Sequence, residues 1–319
     1  MRANAAIGPD VIWSMNVVRR WLASVVLIVL AAGVLALPST AASPTADRPY
    51  GLKVPAGYDG GHPVPLVVLL HGYTSNGATQ ARYFGLLTEA DKAGFLLAYP
   101  DGTRDRLGNR FWNATDACCD FFRSGVDDVA YLDAVITEIS AKYPVDPARI
   151  YVVGHSNGAF MAHRYACDRA SKVAAIVTLA GMQWKDPGKC PAGSPGGPGV
   201  APGAAVSVLH VHGRNDMTIS YQGGATPEGP YPGAVETVDE WAAKDGCNGA
   251  LAVTGRKLDL DRSIPGDETD EATWSGCPSG VADSLWTIEG GGHVPAFNGN
   301  WAPAIWDFLA AHPKVASAS

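Results

Sequence analysis

The chain has 319 residues, of which 47% are hydrophobic and 17% are charged, and its formal net charge at pH 7 is −7. This is enough apolar material for one large α/β domain with a sizeable core. The mild acidic charge argues against partners that require a basic surface, such as nucleic acid or anionic membranes. We therefore expect a soluble globular protein with no nucleic-acid partner.

The N-terminal segment has the features of a secretory signal peptide. Two arginines precede an unbroken apolar run, Trp21 to Leu37, and small residues follow it as far as Ala42. Export signals have this order of a basic start, an apolar middle and a small-residue cleavage site. We predict that residues 1–42 are a signal peptide, that residues 43–319 form a single domain, and that the mature protein is extracellular. The alternative is a membrane anchor, but the apolar run is at the short edge of spanning length, so we expect cleavage near Ala41 or Ala42.

Beyond residue 47, strand-like and helix-like segments alternate, which predicts a mainly parallel sheet with helices on both faces. The strands are recognised as buried, continuous apolar runs, and they cover residues 64–70, 95–99, 150–153, 173–179, 206–211 and 284–288. The predicted helices cover residues 78–94, 124–142, 159–166, 235–244 and 301–311.

Two segments interrupt this alternation. Residues 187–204 are rich in Gly and Pro and predict a surface loop. Such a loop cannot be a helical cap, so we expect no large cap domain and a shallow, accessible cleft. Residues 251–276 are interpreted as an excursion from the domain with an acidic, solvated face.

A G-x-S-x-G motif, Gly154 to Gly158, lies between the strand 150–153 and a helical segment. This context is typical of a nucleophile elbow. The turn is so tight that Cβ atoms at the two glycines would collide with the neighbouring strand and helix. The serine hydroxyl would then stand at the head of a helix, where free N–H groups and the helix dipole favour a developing anion. Ser156 is the predicted nucleophile.

A serine hydroxyl needs an imidazole base that is itself held by a carboxylate, and here the partners are expected in the chain order Ser, acid, His. His293 follows the last predicted strand after three glycines, which let its loop fold over the elbow. Asp216, in the loop after the strand 206–211, is the predicted acid. Its rivals are Asp186, which lies one strand too early, and Glu289, which is too close to His293 along the chain.

Loop residues complete the predicted site. The oxyanion needs two backbone donors, for which we expect the amides of Asn157 and Tyr73. Side-chain contacts to substrate are predicted for His71, Trp112 and His155. Packing is the alternative for His71, beneath its loop, and for Trp112.

Further polar groups have simpler structural interpretations. His210 and His212 point the same way on a strand, but no third ligand is evident for a metal. The acidic residues within 251–276 lack the spacing of a calcium loop. Asp127 and Asp128 stand at a helix start, where carboxylates commonly offset the dipole. We expect no metal and no cofactor.

Six cysteines lie beyond the signal segment, an even number that indicates disulfides in an exported chain. Closure between nearest neighbours predicts the pairs Cys167–Cys190 and Cys247–Cys277. Cys118 and Cys119 are then left either as a vicinal pair or as two free thiols.

Seven motifs follow one another along the chain in a fixed order. They are Val54 to Tyr58, Leu69 to Tyr73, Trp112-Asn113 with Cys118-Cys119, Gly125 to Val129, Gly154 to Gly158, His212 to Asp216, and Gly290 to His293. In this order they resemble the motifs of the polyhydroxybutyrate-depolymerase-like esterases, a group similar to secreted feruloyl and acetyl xylan esterases. The resemblance extends over residues 50–311 and implies an α/β-hydrolase fold, ester hydrolysis without a metal, and the same Ser, Asp and His.

The chain departs from this family at two points. Val-Pro-Ala-Phe follows His293, where members often carry a Trp. Secreted members that attack solid polyester usually append a linker and a substrate-binding domain, whereas this sequence stops after its predicted closing helix. We therefore expect action on soluble esters or oligomers. The predicted function is a secreted serine carboxylic-ester hydrolase acting on a polyester oligomer or a plant cell-wall ester. The alternatives are a serine peptidase on this scaffold and a secreted binding protein without catalysis.

Overall fold

The computed structural model describes residues 45–190 and 205–314. Its main element is a nine-stranded β-sheet. The predicted signal peptide and most of the Gly/Pro-rich loop therefore lie outside the described residues. Among the helices described, none is both long and apolar enough to cross a bilayer.

The strands and helices are numbered in chain order. The strands are β1 (Tyr50–Lys53), β2 (Val64–Leu70), β3 (Leu96–Pro100), β4 (Thr103–Arg104), β5 (Arg110–Phe111), β6 (Val145–His155), β7 (Ala175–Leu179), β8 (Ser207–Gly213), β9 (Gly224–Ala225), β10 (Pro230–Tyr231), β11 (Leu251–Leu258), β12 (Thr269–Trp274) and β13 (Asp283–Ile288). The helices are α1 (Gly77–Tyr83), α2 (Leu86–Ala93), α3 (Asp128–Lys142), α4 (Asn157–Asp168), α5 (Ala234–Lys244) and α6 (Trp301–Ala311), with a 3₁₀ turn at Pro187–Lys189.

The strand order in the main sheet is β1-β3-β2-β6-β7-β8-β13-β12-β11. All neighbours from β3 to β13 are parallel, whereas β1, β12 and β11 add antiparallel edges. This confirms the predicted mainly parallel sheet. Because the carboxyl ends of parallel strands meet at one edge, the loops after β2, β6, β8 and β13 converge there.

Alternate residues of the central strands enter two separate cores. In β2, Leu66, Val68 and Leu70 pack into one core, and Val67 and Leu69 pack into the other. A two-residue period of this kind follows from strand geometry, and it explains why a sheet covered on both faces has an uninterrupted apolar strand. Helix α4 contributes to the first core and α6 to the second.

Two predicted segments are corrected by the structure. The helix predicted over 78–94 is two helices, because Gly85 adopts a left-handed conformation with φ of 70° between them. The excursion predicted over 251–276 is instead the antiparallel pair β11–β12 at the edge of the sheet. Most residues of β11 are exposed to solvent. The strand therefore does not need the continuous apolar run by which the buried strands were recognised.

The described cysteines form three disulfides. Both predicted pairs, Cys167–Cys190 and Cys247–Cys277, are confirmed. Of the two possibilities left open for Cys118 and Cys119, the structure has the vicinal disulfide. The first pair ties α4 to the end of the 3₁₀ turn, and the second ties the segment after α5 to the end of β12.

Candidate active site

Ser156 stands in the turn between β6 and α4, with φ of 53° and ψ of −122°. A Cβ atom at Gly154 would lie 2.2 Å from the carbonyl oxygen of Gly158, and one at Gly158 would lie 2.2 Å from that of Leu70. Both contacts are with backbone and cannot be relieved by a rotamer change. The predicted steric need for both glycines is therefore confirmed, and a strained serine is held at the head of α4.

The side chains of Ser156, His293 and Asp216 meet at the carboxyl edge of the sheet. His293 Nε2 lies 2.9 Å from Ser156 Oγ, and His293 Nδ1 lies 2.7 Å from Asp216 Oδ2. An ionised carboxylate can only accept, so Nδ1 carries the hydrogen and Nε2 is free to accept the serine proton. This is the geometry of a nucleophile, a general base and an orienting acid.

The two rival carboxylates are engaged elsewhere. Asp186 accepts the amide hydrogen of Gly188 in the 3₁₀ turn. Glu289 forms an ion pair with Arg214, 2.8 Å apart, on the surface. Of the three candidate acids, all of which are among the described residues, Asp216 alone contacts the His293 ring.

Asp216 is buried but well supplied with hydrogen-bond donors. Its Oδ1 accepts the amides of Thr218 at 2.8 Å and Ile219 at 2.9 Å, and its Oδ2 lies 3.3 Å from His212 Nε2 in addition to the His293 contact. Burial by itself raises the pKa of a carboxyl, but hydrogen bonds from His212 and His293 outweigh it and hold the pKa of Asp216 well below its ordinary value. Asp216 is therefore ionised near neutral pH.

His155, which precedes the serine, lies beside the base and lines the cleft. Its Nε2–H donates to the carbonyl oxygen of His293 at 3.0 Å, and the two rings are 5.3 Å apart. Burial lowers the pKa of His155 to about 4, so the ring is neutral at pH 7. His155 thus holds the His293 backbone as well as bordering the site, where it was predicted to contact substrate.

The cleft above Ser156 has a volume of about 450 Å³ and an apolar character. Tyr83, from α1, forms one wall, and its hydroxyl donates to the Pro295 carbonyl oxygen at 2.8 Å. Val294 is 62% exposed and also lines the cleft. The lining residues are Gly72, Tyr73, Ser75, Thr79, Gln80, Tyr83, His155, Ser156, His293 and Val294.

The structure corrects the predicted substrate contacts of His71 and Trp112, because both side chains are fully buried and neither lines the cleft. His71 Nδ1 donates to the Gly72 carbonyl oxygen, while its Nε2 accepts the Gly102 amide hydrogen, each at 2.8 Å. Trp112 Nε1 donates to the His71 carbonyl oxygen at 3.0 Å. The packing alternative therefore holds for both residues, which support the turn that carries Tyr73.

Asn157 has a side-chain role that sequence reasoning missed. Its Oδ1 accepts the Trp112 amide hydrogen at 2.7 Å, and its Nδ2 donates to the Trp112 carbonyl oxygen at 2.9 Å. The residue after the nucleophile is thereby clamped to the loop beyond β5. No local pattern signals this pair, since the two residues are 45 positions apart in the chain.

Sequence reasoning also missed Tyr83 and Val294 in the cleft and the contact between His212 and Asp216. The sequence signal nearest to this last contact is the i, i+2 spacing of His210 and His212 on one predicted strand. In the structure the two rings are hydrogen-bonded to each other, with His210 Nε2 and His212 Nδ1 3.1 Å apart.

A second groove, of about 1130 Å³, lies beside Phe121, Arg164 and Trp184 and includes no residue of the triad. Tyr73 separates it from the cleft, since the Tyr73 ring contacts Phe121 edge-on at 5.3 Å. The smaller cleft, which contains Ser156 and His293, is therefore the candidate active site.

Comparison with known proteins agrees with the motifs. Residues 49–188 match the family model described as esterase PHB depolymerase. Feruloyl esterase B of Piromyces equi is 28% identical over 266 residues, which cover 81% of this chain and 44% of that protein. The putative esterase NocK of Nocardia uniformis is 26% identical over 253 residues, which cover 76% of this chain and 68% of that one. This chain thus spans less than half the length of the Piromyces protein.

The fold also has solved counterparts. An acetyl xylan esterase from Aspergillus awamori superposes with a TM-score of 0.56 at 17% identity, over 82% of this chain and 93% of that one. A likeness at such identity concerns the fold, and it agrees with the α/β-hydrolase class. Residues 49–188 thus resemble the esterase PHB depolymerase family, which confirms the resemblance seen in the motifs.

Proposed function

We propose that this protein is a secreted serine carboxylic-ester hydrolase that works through a covalent acyl-enzyme. The observation that carries the proposal is the pair of contacts made by His293, at 2.9 Å to the Ser156 hydroxyl and 2.7 Å to the Asp216 carboxylate. Residues 1–42 are the export signal in this proposal. Sequencing the N-terminus of the mature protein tests that part, and a retained apolar segment would favour the anchored form.

In the first half of the reaction, Ser156 Oγ attacks the ester carbonyl carbon while His293 Nε2 takes the serine proton. The tetrahedral intermediate then collapses, the bond to the alcohol breaks, and His293 returns the proton to the departing oxygen. Asp216 stays ionised and stabilises the imidazolium between these two transfers. Water repeats the same sequence on the acyl-enzyme and releases the acid.

We assign the oxyanion to the amides of Asn157 and Tyr73. Asn157 is the first residue of α4, and an amide in the first turn of a helix has no acceptor within the helix. The next two amides of the turn after β2, from Thr74 and Ser75, donate to the carbonyl oxygens of Arg110 and Gly72. The Tyr73 amide donates to no carbonyl oxygen of the described residues, and Tyr73 lines the cleft together with Ser156.

The apolar wall formed by Tyr83 and Val294 fits the acyl part of the ester, which would lie along the cleft from the Ser156 hydroxyl. The substrate class we propose is a soluble ester, either a hydroxy-acid oligomer or an ester of the plant cell wall. The names of the relatives, feruloyl esterase and acetyl xylan esterase, support the second class. A panel of feruloyl, acetyl-xylan and hydroxybutyrate-oligomer esters distinguishes them.

Replacement of the nucleophile is the direct test. Ser156→Ala is expected to reduce hydrolysis of a short p-nitrophenyl ester to background, because no other hydroxyl of residues 45–190 and 205–314 contacts His293 Nε2. Circular dichroism and the unfolding temperature serve as controls for an unchanged fold. Substantial residual turnover by the folded variant would refute the assignment.

Two further measurements separate the alternatives. Parallel assays on an ester and on the matching amide distinguish an esterase from a peptidase. A fluorophosphonate probe labels only an activated serine, so labelling that disappears in Ser156→Ala is expected of a hydrolase. An unlabelled wild-type protein would instead favour a binding protein that lacks catalysis.

A further inference from the structure

Three buried side chains extend from the Asp216 carboxylate into the sheet. His212 and His210 lie two positions apart on β8, and Thr178 lies opposite His210 on β7. All three side chains are fully buried. The reaction described above uses none of them, although polar groups at such depth must find partners.

The link to the carboxylate begins at His212. Its Nε2 lies 2.8 Å from the Ile219 carbonyl oxygen and 3.3 Å from Asp216 Oδ2. Because a carbonyl oxygen only accepts, Nε2 carries the hydrogen. The Ile219 amide in turn donates to Asp216 Oδ1 at 2.9 Å. His212 therefore holds the carboxylate directly and also through the loop that supplies one of its amide donors.

The alternation of donors and acceptors also determines the positions of the next two hydrogen atoms, on His210 and on Thr178. A neutral His212 with its hydrogen on Nε2 accepts at Nδ1, where His210 Nε2 lies 3.1 Å away and must donate. His210 then accepts at Nδ1, where the Thr178 hydroxyl lies 2.9 Å away and donates. Burial keeps the pKa of His210 well below its ordinary value, which agrees with a single hydrogen on that ring.

We propose that Thr178, His210 and His212 form a positioning relay whose donors all point toward Asp216. The relay fixes the tautomer of His212 and holds the carboxylate in the orientation in which it accepts from His293. Successive hydrogen bonds with one direction polarise one another, so the Thr178 hydroxyl strengthens the bond made at Asp216. No proton moves along the relay and no bond changes. The inference rests on the proposed function, since it gives Asp216 the role of orienting acid.

In the competing arrangement the hydrogen bonds between His212, His210 and Thr178 run in the opposite direction. There His212 carries hydrogens on both ring nitrogens and donates from Nδ1 to His210, and His210 donates from Nδ1 to Thr178. His212 would then be a buried cation beside Asp216. The two arrangements share every heavy-atom distance. They differ in whether His212 Nδ1 carries a hydrogen, in which nitrogen of His210 carries its hydrogen, and in the direction of the Thr178 hydroxyl.

Removal of the first donor tests the relay kinetically. Thr178→Val keeps the shape of the side chain and removes the hydroxyl, so kcat is expected to fall about fivefold, the factor for one neutral hydrogen bond worth ~1 kcal/mol. KM stays unchanged because Thr178 does not border the cleft. Thr178→Ser retains the donor and recovers the lost kcat.

Thr237→Val is the matched control, because it also removes a buried hydroxyl, but one whose partner is the Met182 sulfur. Its kcat is expected to equal that of the wild type. An unchanged kcat in Thr178→Val, a Thr178→Ser variant that is equally impaired, or the same loss of kcat in Thr237→Val would each overturn the relay.

A spectroscopic measurement decides the direction without any assay of hydrolysis. With ¹⁵N-labelled histidine, the relay predicts that His212 carries a hydrogen on Nε2 alone, and that Thr178→Val alters the shifts of both His210 and His212. A protonated Nδ1 on His212 would overturn the proposed direction. Because this readout needs no ester, it stays decisive if Ser156→Ala shows that the proposed function is wrong.

Discussion

Buried carboxyl groups lie at both ends of the strands β8 and β13, and the pKa values of the two groups are shifted in opposite directions. At the carboxyl ends, Asp216 accepts two amides and contacts two imidazoles, and its pKa is lowered. At the amino ends, Asp245 and Asp283 are equally buried, and burial raises the pKa of both.

The number of donors explains the difference. Asp245 Oδ1 accepts the Val206 amide at 3.0 Å, but Asp245 Oδ2 and Asp283 Oδ1 have no donor among the described residues. The nearby Cys247 sulfur is in a disulfide and has no hydrogen to donate. We therefore expect the two carboxyls to share a proton, so that one donates to the other. Burial alone thus does not set the charge of a carboxyl in this protein, whereas the donors aimed at it do.

The largest expected effect comes from removing the charge of the donor-rich carboxyl. Asp216→Asn is expected to lower kcat by about 10⁴-fold, because the amide donates to His293 and favours the tautomer that cannot accept the serine proton. KM and the unfolding temperature change little. The measurement is kcat on a p-nitrophenyl ester, with Asp186→Asn as a carboxyl control. A loss of less than about tenfold would mean that Asp216 is not the orienting acid.

Features that depend on local sequence could be predicted. The strands of the sheet centre are apolar runs such as Val64–Leu70, and the elbow depends on contacts that Gly154 and Gly158 make with nearby backbone. Asp216 and His293 follow from chain order, because the carboxyl ends of parallel strands meet at one edge. These features can be predicted without knowledge of any long-range side-chain contact.

Features that depend on tertiary contacts could not be predicted. The exposed strand β11 lacks an apolar run, and its pairing with β12 is visible only in the folded sheet. His71 and Trp112 have residue types that suit a cleft, but the clamp made by Asn157 buries the loop that carries Trp112. The sequence likewise contains no signal for the shared proton of Asp245 and Asp283.

The second effect concerns stability and pH. An aspartate in the unfolded chain loses its proton near pH ~4, whereas the folded pair keeps one proton to a higher pH. Between these limits the folded state binds the extra proton, so stability falls as pH rises, by about 1.4 kcal/mol per pH unit. For Asp216, with its lowered pKa, the sign is reversed, and its contribution is lost only as pH falls below ~4.

Asp283→Asn is expected to remove most of the slope due to the pair, because the amide supplies Asp245 with a donor and no proton needs to be shared. The measurement is the free energy of unfolding by denaturant at pH 5, 6, 7 and 8, for both proteins with disulfides intact. Burial also raises the pKa of Glu228 and Glu240 to about 7, but both proteins retain these groups. Burial lowers the pKa of Lys314, which interacts with Asp245, to about 8, so the two slopes are compared between pH 5 and pH 7. Parallel slopes in the two proteins would refute the shared proton.

The smallest effect is expected from a carboxylate that is exposed. Glu289 lies four positions before His293 in the chain, yet its side chain is 43% exposed and is paired with Arg214 at the surface. Water already solvates both charges, so Glu289→Gln is expected to change the free energy of unfolding by less than ~1 kcal/mol and kcat by less than about twofold. Measured beside Asp216→Asn, this variant separates closeness in sequence from contact with the imidazole. A tenfold loss of kcat in Glu289→Gln would show that a carboxylate can act on His293 without the donors and the burial that distinguish Asp216.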